Sequence, residues 1–176
     1  MKRSRILRLA LLGVLLPTSA LSQEVDREAL CRKYVCRPAT MVRLRVSATH
    51  GQEFPFPKGP YVTEEGINIL SGEAFAVTFG AGPPSLLTAG FAKALSKKAS
   101  GLELSLKYDE EAGTILTVRN ATTARIKYDC LIQYAGRAGF RRTSTLGIDP
   151  GLEGYENWRE PVVQIAIVGI SVEKAR

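Results

Sequence analysis

Histidine occurs once in this chain, at position 50, tryptophan once, at 158, and cysteine three times, at 31, 36 and 130. A single histidine set between Thr49 and Gly51 gives nucleophilic catalysis no visible centre, because a Ser/His/Asp or Cys/His set would have to be built from scattered residues. Zinc of ordinary spacing finds little support on the same count: only His50 and Cys130 remain beside the close pair Cys31 and Cys36. A nucleophile-elbow pentapeptide, a glycine-rich phosphate loop and a metal-ligand cluster are missing too. Carboxylates do occur in pairs, Glu64 with Glu65 and Glu110 with Glu111. Adjacent side chains on an extended chain point apart, so neither pair suits acid/base work. The expectation is a protein with no catalytic residue, no metal and no cofactor.

Long apolar runs are scarce as well. The stretch at residues 6–16 falls well short of the roughly 20 residues that a membrane span needs, and no later run reaches that length. It lies inside MKRSRILRLALLGVLLPTSALSQ, which has a cationic start, an apolar middle, a break at Pro17, and small Ala20 and Ser22 around Leu21. This order is that of a secretory signal, predicted here as residues 1–22 with cleavage between Ser22 and Gln23. The chain carries a formal charge of +7, but Lys2, Arg3, Arg5 and Arg8 lie in that segment; without these four the charge is +3. The case for a nucleic-acid partner therefore disappears, and no stable membrane span is expected after signal removal.

What the chain has in quantity is alternation. In the 114–134 stretch, TILTVRNATTARIKYDCLIQY, Leu116 and Val118 alternate with Thr117 and Arg119. Beyond a polar break at 120–123, Ile126, Tyr128, Cys130, Ile132 and Tyr134 resume the same period. Leu102, Leu104, Leu106 and Tyr108 alternate with Glu103, Ser105 and Lys107. With a further strand at 140–146, these read as an antiparallel meander. Shorter strands are predicted at 41–47, 67–70 and 74–79. Residues 162–172 predict a final strand covered on both faces, with an irregularity at Gly169. A short helix is possible around 85–98, where Leu87, Phe91 and Leu95 recur at spacing four and Gly90 weakens the pattern. The fold class is all-β, an antiparallel immunoglobulin-like β-sandwich. Residues 23–40 form an amino-terminal segment stapled by a Cys31–Cys36 disulfide, and residues 41–176 form the β-sandwich domain. Cys130 is either a buried core thiol or an alternative partner for Cys31 or Cys36.

Two stretches interrupt the alternation. At 50–62, HGQEFPFPKGPYV, three prolines forbid a regular central strand, while Phe54, Phe56 and Tyr61 supply large apolar area. At 149–161, DPGLEGYENWREP, Tyr155 and Trp158 stand near Glu153, Glu156 and Glu160. Either can be a recognition loop, or can fold its rings back onto the core. The candidate binding residues are thus Phe54, Phe56, Tyr61, Tyr155 and Trp158. Asn120-Ala121-Thr122 also matches a glycan acceptor.

The runs LTVRNAT and IKYDCLI, with RRTSTLGIDPG and ENWREP before the closing apolar strand, resemble segments of small uncharacterised exported immunoglobulin-like proteins of Gram-negative bacteria. The resemblance covers roughly the second half of the chain and lacks the Cys–Trp–Cys arrangement of antibody-type domains. It implies a fold and a periplasmic address, and it carries over no site residue. The function expected is a non-catalytic, periplasmic or secreted binding or envelope-associated module, with a protein or glycan ligand in the envelope as partner. The alternatives are a carbohydrate-binding or carbohydrate-active accessory domain centred on Trp158 and Tyr155, and a subunit that assembles through a strand edge.

Overall fold

Period-two alternation of large apolar and polar side chains can be buried only by facing sheets, and two of them form here. The computed structural model describes residues 27–47, 49–79, 89–92 and 101–173. In chain order the elements are α1 (Arg27–Lys33), β1 (Cys36–Arg37), β2 (Thr40–Ser47), β3 (His50–Phe56), β4 (Gly59–Pro60), β5 (Val62–Thr63), β6 (Gly66–Leu70) and β7 (Ala74–Phe79). They continue with β8 (Ala89–Ala92), β9 (Gly101–Asp109), β10 (Gly113–Asn120), β11 (Arg125–Tyr134), β12 (Arg141–Ser144), β13 (Glu153–Trp158) and β14 (Val162–Glu173). One five-stranded sheet runs β13-β10-β9-β7-β8, the other β12-β11-β14-β6-β5, and every pairing within them is antiparallel.

Between the sheets, Leu102, Leu104, Leu106, Leu116 and Val118 of the first meet Ile126, Tyr128, Cys130, Ile132, Ile165 and Ile167 of the second, all nearly or wholly buried. Burying each such side chain contributes about 1.5–3 kcal/mol before entropy is counted, so this layer fixes the architecture as an all-β antiparallel sandwich. The final strand β14 lies inside its sheet between β11 and β6. The register against β11 shifts beside Gly169, whose φ of +60° suits a residue without a side chain.

Three sequence expectations change. Strands β10 and β11 do not form a hairpin: the turn at 120–124 carries the chain from one sheet to the other, so the meander is broken by a crossing between layers. The helix considered around 85–98 is a strand where it is described, because Ala89–Ala92 pairs with β7 from Ala76 to Phe79; the rest of that span lies outside the described residues, as does the whole signal segment at 1–22. The proline-rich stretch at 50–62 is not a free loop. Its first part is β3, and Pro55 is tolerated because the β2–β3 ladder has only two strands and leaves one side of β3 unpaired.

That β2–β3 hairpin closes one end of the sandwich. Val42 and Leu44 are buried against Leu70 at the end of β6 and Val163 at the start of β14, with Phe54, Phe56 and Tyr108 packed around them. Arg43 and Arg45 point outward and pair with Glu53 at 2.8 Å and Glu110 at 3.0 Å. Along one lateral edge, the amino-terminal segment pairs β1 with β4, and Tyr61 N–H donates to Val35 O at 3.1 Å. The Cys31–Cys36 disulfide joins α1 to β1.

Candidate functional site

The opposite lateral edge is built differently. Strand β13 ends the first sheet and β12 ends the second. Beyond β12, residues 145–148 continue beside β11, where Thr145 Oγ1 donates to Tyr128 O at 2.6 Å and Ile126 and Ile148 exchange backbone hydrogen bonds. Glycine at 154 lets this segment lie against β13, since a Cβ there would meet Ile148 Cδ1 at 2.5 Å. Between the two edges runs a groove of about 250 Å³, floored by Tyr128 and flanked by Leu146, Ile148, Leu152 and Glu156. Its rim is unusually apolar for surface: Leu146 is 85% exposed, Leu152 57% and Tyr155 64%.

Three carboxylates border the groove, and their partners differ. Asp149 is held by Arg125 at 3.0 Å. Glu153 accepts a hydrogen bond from the Tyr155 hydroxyl. Glu156 has no hydrogen-bond or ion-pair partner among the described residues, and burial holds its carboxyl above the ordinary range. Its charge reaches inward, because it helps to raise both Tyr128 and Cys130, for which burial is the larger cause. The Cys130 thiol is pushed up to about 12. A wholly buried thiol so hard to ionise is inert toward electrophiles at neutral pH, so Cys130 is a core residue and not a partner of the stapled pair.

The frame of the groove depends on Asn120, which is fully buried. Its Nδ2 donates to Ala124 O at 2.7 Å and Ile148 O at 2.8 Å, and its Oδ1 accepts from Thr122 N at 2.9 Å. One side chain thus ties the crossing at 120–124 to the segment that lines the groove. The glycan-acceptor pattern read at Asn120 is therefore closed in the folded chain, since the nitrogen a glycan would occupy is already committed.

The five residues singled out from the sequence do not meet at one place. Phe54 and Phe56 pack half-buried under the β2–β3 hairpin. Tyr61 packs on the main core, edge-on to Phe75 with ring centroids 5.0 Å apart, and carries the Arg37 guanidinium over its ring at 4.7 Å. Trp158 is half-buried against the core, while Tyr155 points outward. Three positions apart on β13, these two rings lie on opposite faces of the strand, so they form no shared platform. Of the five, only Tyr155 belongs to the exposed rim. Leu146 and Leu152 were missed: Leu146 read as the end of the strand at 140–146 and Leu152 as part of a loop at 149–161, while Glu156 was noted only as one of the acids near Tyr155 and Trp158. The signal was present in EGYENW, where Gly154, Glu156 and Trp158 share one face at period two.

His50 sits at the exposed tip of the β2–β3 hairpin, registered opposite Ser47 and among Thr49, Arg43, Arg45 and Glu53. Among the described residues, no group of three His, Cys, Asp or Glu side chains is arranged to hold a metal ion, and no helix is long and apolar enough to cross a membrane. No protein-family model matches the chain, and comparisons with curated proteins and with solved structures found no match.

Proposed function

We propose that this chain is an exported, periplasmic or secreted, immunoglobulin-like module that acts without catalysis by binding a partner in the cell envelope at the edge between β12 and β13. The observation that carries the reading is the groove: exposed Leu146 and Leu152 border a half-buried carboxyl at Glu156 that has no partner among the described residues, and exposed Tyr155 stands beside it on the outer face of β13. Apolar rim residues gain by leaving water, and an unpaired carboxyl gives the contact a direction. The amino-terminal signal pattern and the disulfide at Cys31 and Cys36 support export. A protein partner is favoured over a glycan because Tyr155 and Trp158 face opposite ways and offer a sugar no shared stacking platform.

The test is site-specific photocrosslinking in cells. A photoreactive residue replaces Leu146, and in a control replaces Lys107 on the exposed outer face of β9. An adduct of defined mass from position 146, absent from the control and lost on adding Tyr155→Ser, supports the reading. Equal adducts from both positions, or none from 146, overturn it.

A further inference from the structure

Strand β13 offers more than side chains. The Leu152 carbonyl accepts from Asn120 N–H at 2.9 Å, and Gly154, Glu156 and Trp158 are registered on Val118, Leu116 and Thr114. Backbone groups alternate in direction along a strand, so those of Gly154, Glu156 and Trp158 turn toward β10. Those of Glu153, Tyr155 and Asn157 turn toward the side that pairs with no other strand among the described residues. Edges of this kind are usually blunted by proline, lysine, a bulge or a covering segment. No proline, lysine or bulge occurs within β13, whose register with β10 runs unbroken from Arg119 to Thr114, and the segment at 145–148 lies only against its inner face at Gly154.

We infer that the occupant of the groove is an extended peptide segment of another protein, adding as a strand to β13, with a lysine or arginine opposite Glu156 and an apolar residue opposite Gly154. This deepens the reading of the open edge as the binding site and rests on it. A strand added to the free side sends alternate side chains toward the inter-sheet groove, in step with Gly154 and Glu156. Next to Glu156, an incoming cation meets the one groove carboxyl that has no partner among the described residues, with Glu153 adding negative charge nearby and Asp149 already paired with Arg125. Next to Gly154, where β13 has no side chain, an apolar residue fits against Ile148 and the exposed Leu146 and Leu152. Side chains pointing the other way meet Tyr155 on the outer face. A second copy of β13 is the weaker occupant: antiparallel pairing centred on Tyr155 sets Glu156 opposite Gly154 and supplies no cation.

The probes are end-blocked peptides of about eight residues, an ordinary strand length, of alternating threonine and valine with Lys-Tyr-Val at the centre. A second peptide has glutamate for that lysine, and a third is the lysine peptide with alternate backbone amides methylated. Binding to the purified protein is read from the methyl resonances of Leu146, Ile148 and Leu152. The lysine peptide is expected to shift all three and to bind about tenfold or more tightly than the glutamate peptide. Methylation of the amides that face β13 abolishes its binding. Glu156→Gln reduces its affinity to that of the glutamate peptide while the unfolding midpoint shows the variant folded. Equal affinity of the lysine and glutamate peptides, or undiminished binding of the methylated one, overturns the inference and leaves the groove reading standing. If no peptide moves the methyls the strand inference is likewise overturned, while the groove reading is decided by the crosslink from position 146.

Discussion

The two lateral edges of this sandwich are finished in opposite ways. At the β5 edge, the chain lays its amino-terminal segment against residues 59–61 and bolts it there with Arg37, whose side chain is only 4% exposed. The guanidinium donates to the main-chain and side-chain oxygens of Asn68, lies over Tyr61, and faces Glu73 with Nε 2.9 Å from Oε1 in an ion pair without a hydrogen bond. Burial lowers the pKa of Arg37 and raises that of Glu73; each charge is held there by the other, Arg37 also by the Asn68 oxygens and Glu73 by the Leu70 N–H that it accepts at 2.8 Å. At the β13 edge, the comparable carboxyl, Glu156, has no such cation among the described residues. One edge carries its own counter-charge; the other leaves a place for one.

The largest test of that contrast is to break the closed edge. Arg37→Met leaves Glu73 largely buried without its cation, and a cost of about 3 kcal/mol in urea unfolding is expected. Adding Glu73→Gln, which keeps an acceptor for Leu70 N–H while removing the charge, recovers part of the loss. A cost below 1 kcal/mol for Arg37→Met would mean the segment is not bolted there. Next comes Asn120→Ala at the frame of the open edge. It strips donors from the carbonyls of Ala124 and Ile148, and a loss of about 2–3 kcal/mol is expected by the same measurement.

The staple at the closed edge ranks third. Replacing Cys31 and Cys36 with serine frees a very short loop, and chain-entropy reasoning puts the loss at about 2 kcal/mol. The expected readout is local: limited proteolysis opens the chain within residues 27–35 while cuts within β9 to β14 stay as slow as in the parent. Equal acceleration at both places would show that the segment and the sandwich unfold as one.

How much of this could be read from the sequence depended on period. Leu102 to Leu106, Leu116 to Val118 and Ile126 to Ile132 announced their strands because each buries one face, and the apolar run of β14 announced a strand covered on both. The layer change between β10 and β11 could not be read, since a short polar turn suits a hairpin and a crossing equally. What decides is Asn120, whose bond to Ile148 reaches 28 residues along the chain. Arg37 was silent for the same reason: its partners Asn68 and Glu73 are distant in sequence, and a single arginine beside a cysteine reads as surface. The groove was half legible. Tyr155 stood out by size, but Leu146 read as the end of a strand and Leu152 lies in a turn-rich stretch, and Glu156 acquires its meaning only when 145–148 closes over Tyr128.

The smallest effect sharpens the comparison most, because it separates stability from binding at the open edge. Burial raises the folded pKa of Glu156 above its unfolded value, so the folded chain keeps this proton at pH values where the unfolded chain has released it. Protons favour the folded state in that window, and stability falls as pH rises from the ordinary carboxylate range through the raised value. Above it the full cost of a charged Glu156 is present; below the unfolded value there is none. Glutamine has no charge to desolvate, so Glu156→Gln is expected to melt slightly higher than the parent at pH 7 and to converge with it in acid. A stabilising substitution that at the same time destroys affinity for a basic strand marks Glu156 as a residue kept for contact rather than for folding. If the variant instead melts lower at pH 7, the carboxylate is being stabilised by the chain itself, and the difference between the two edges disappears.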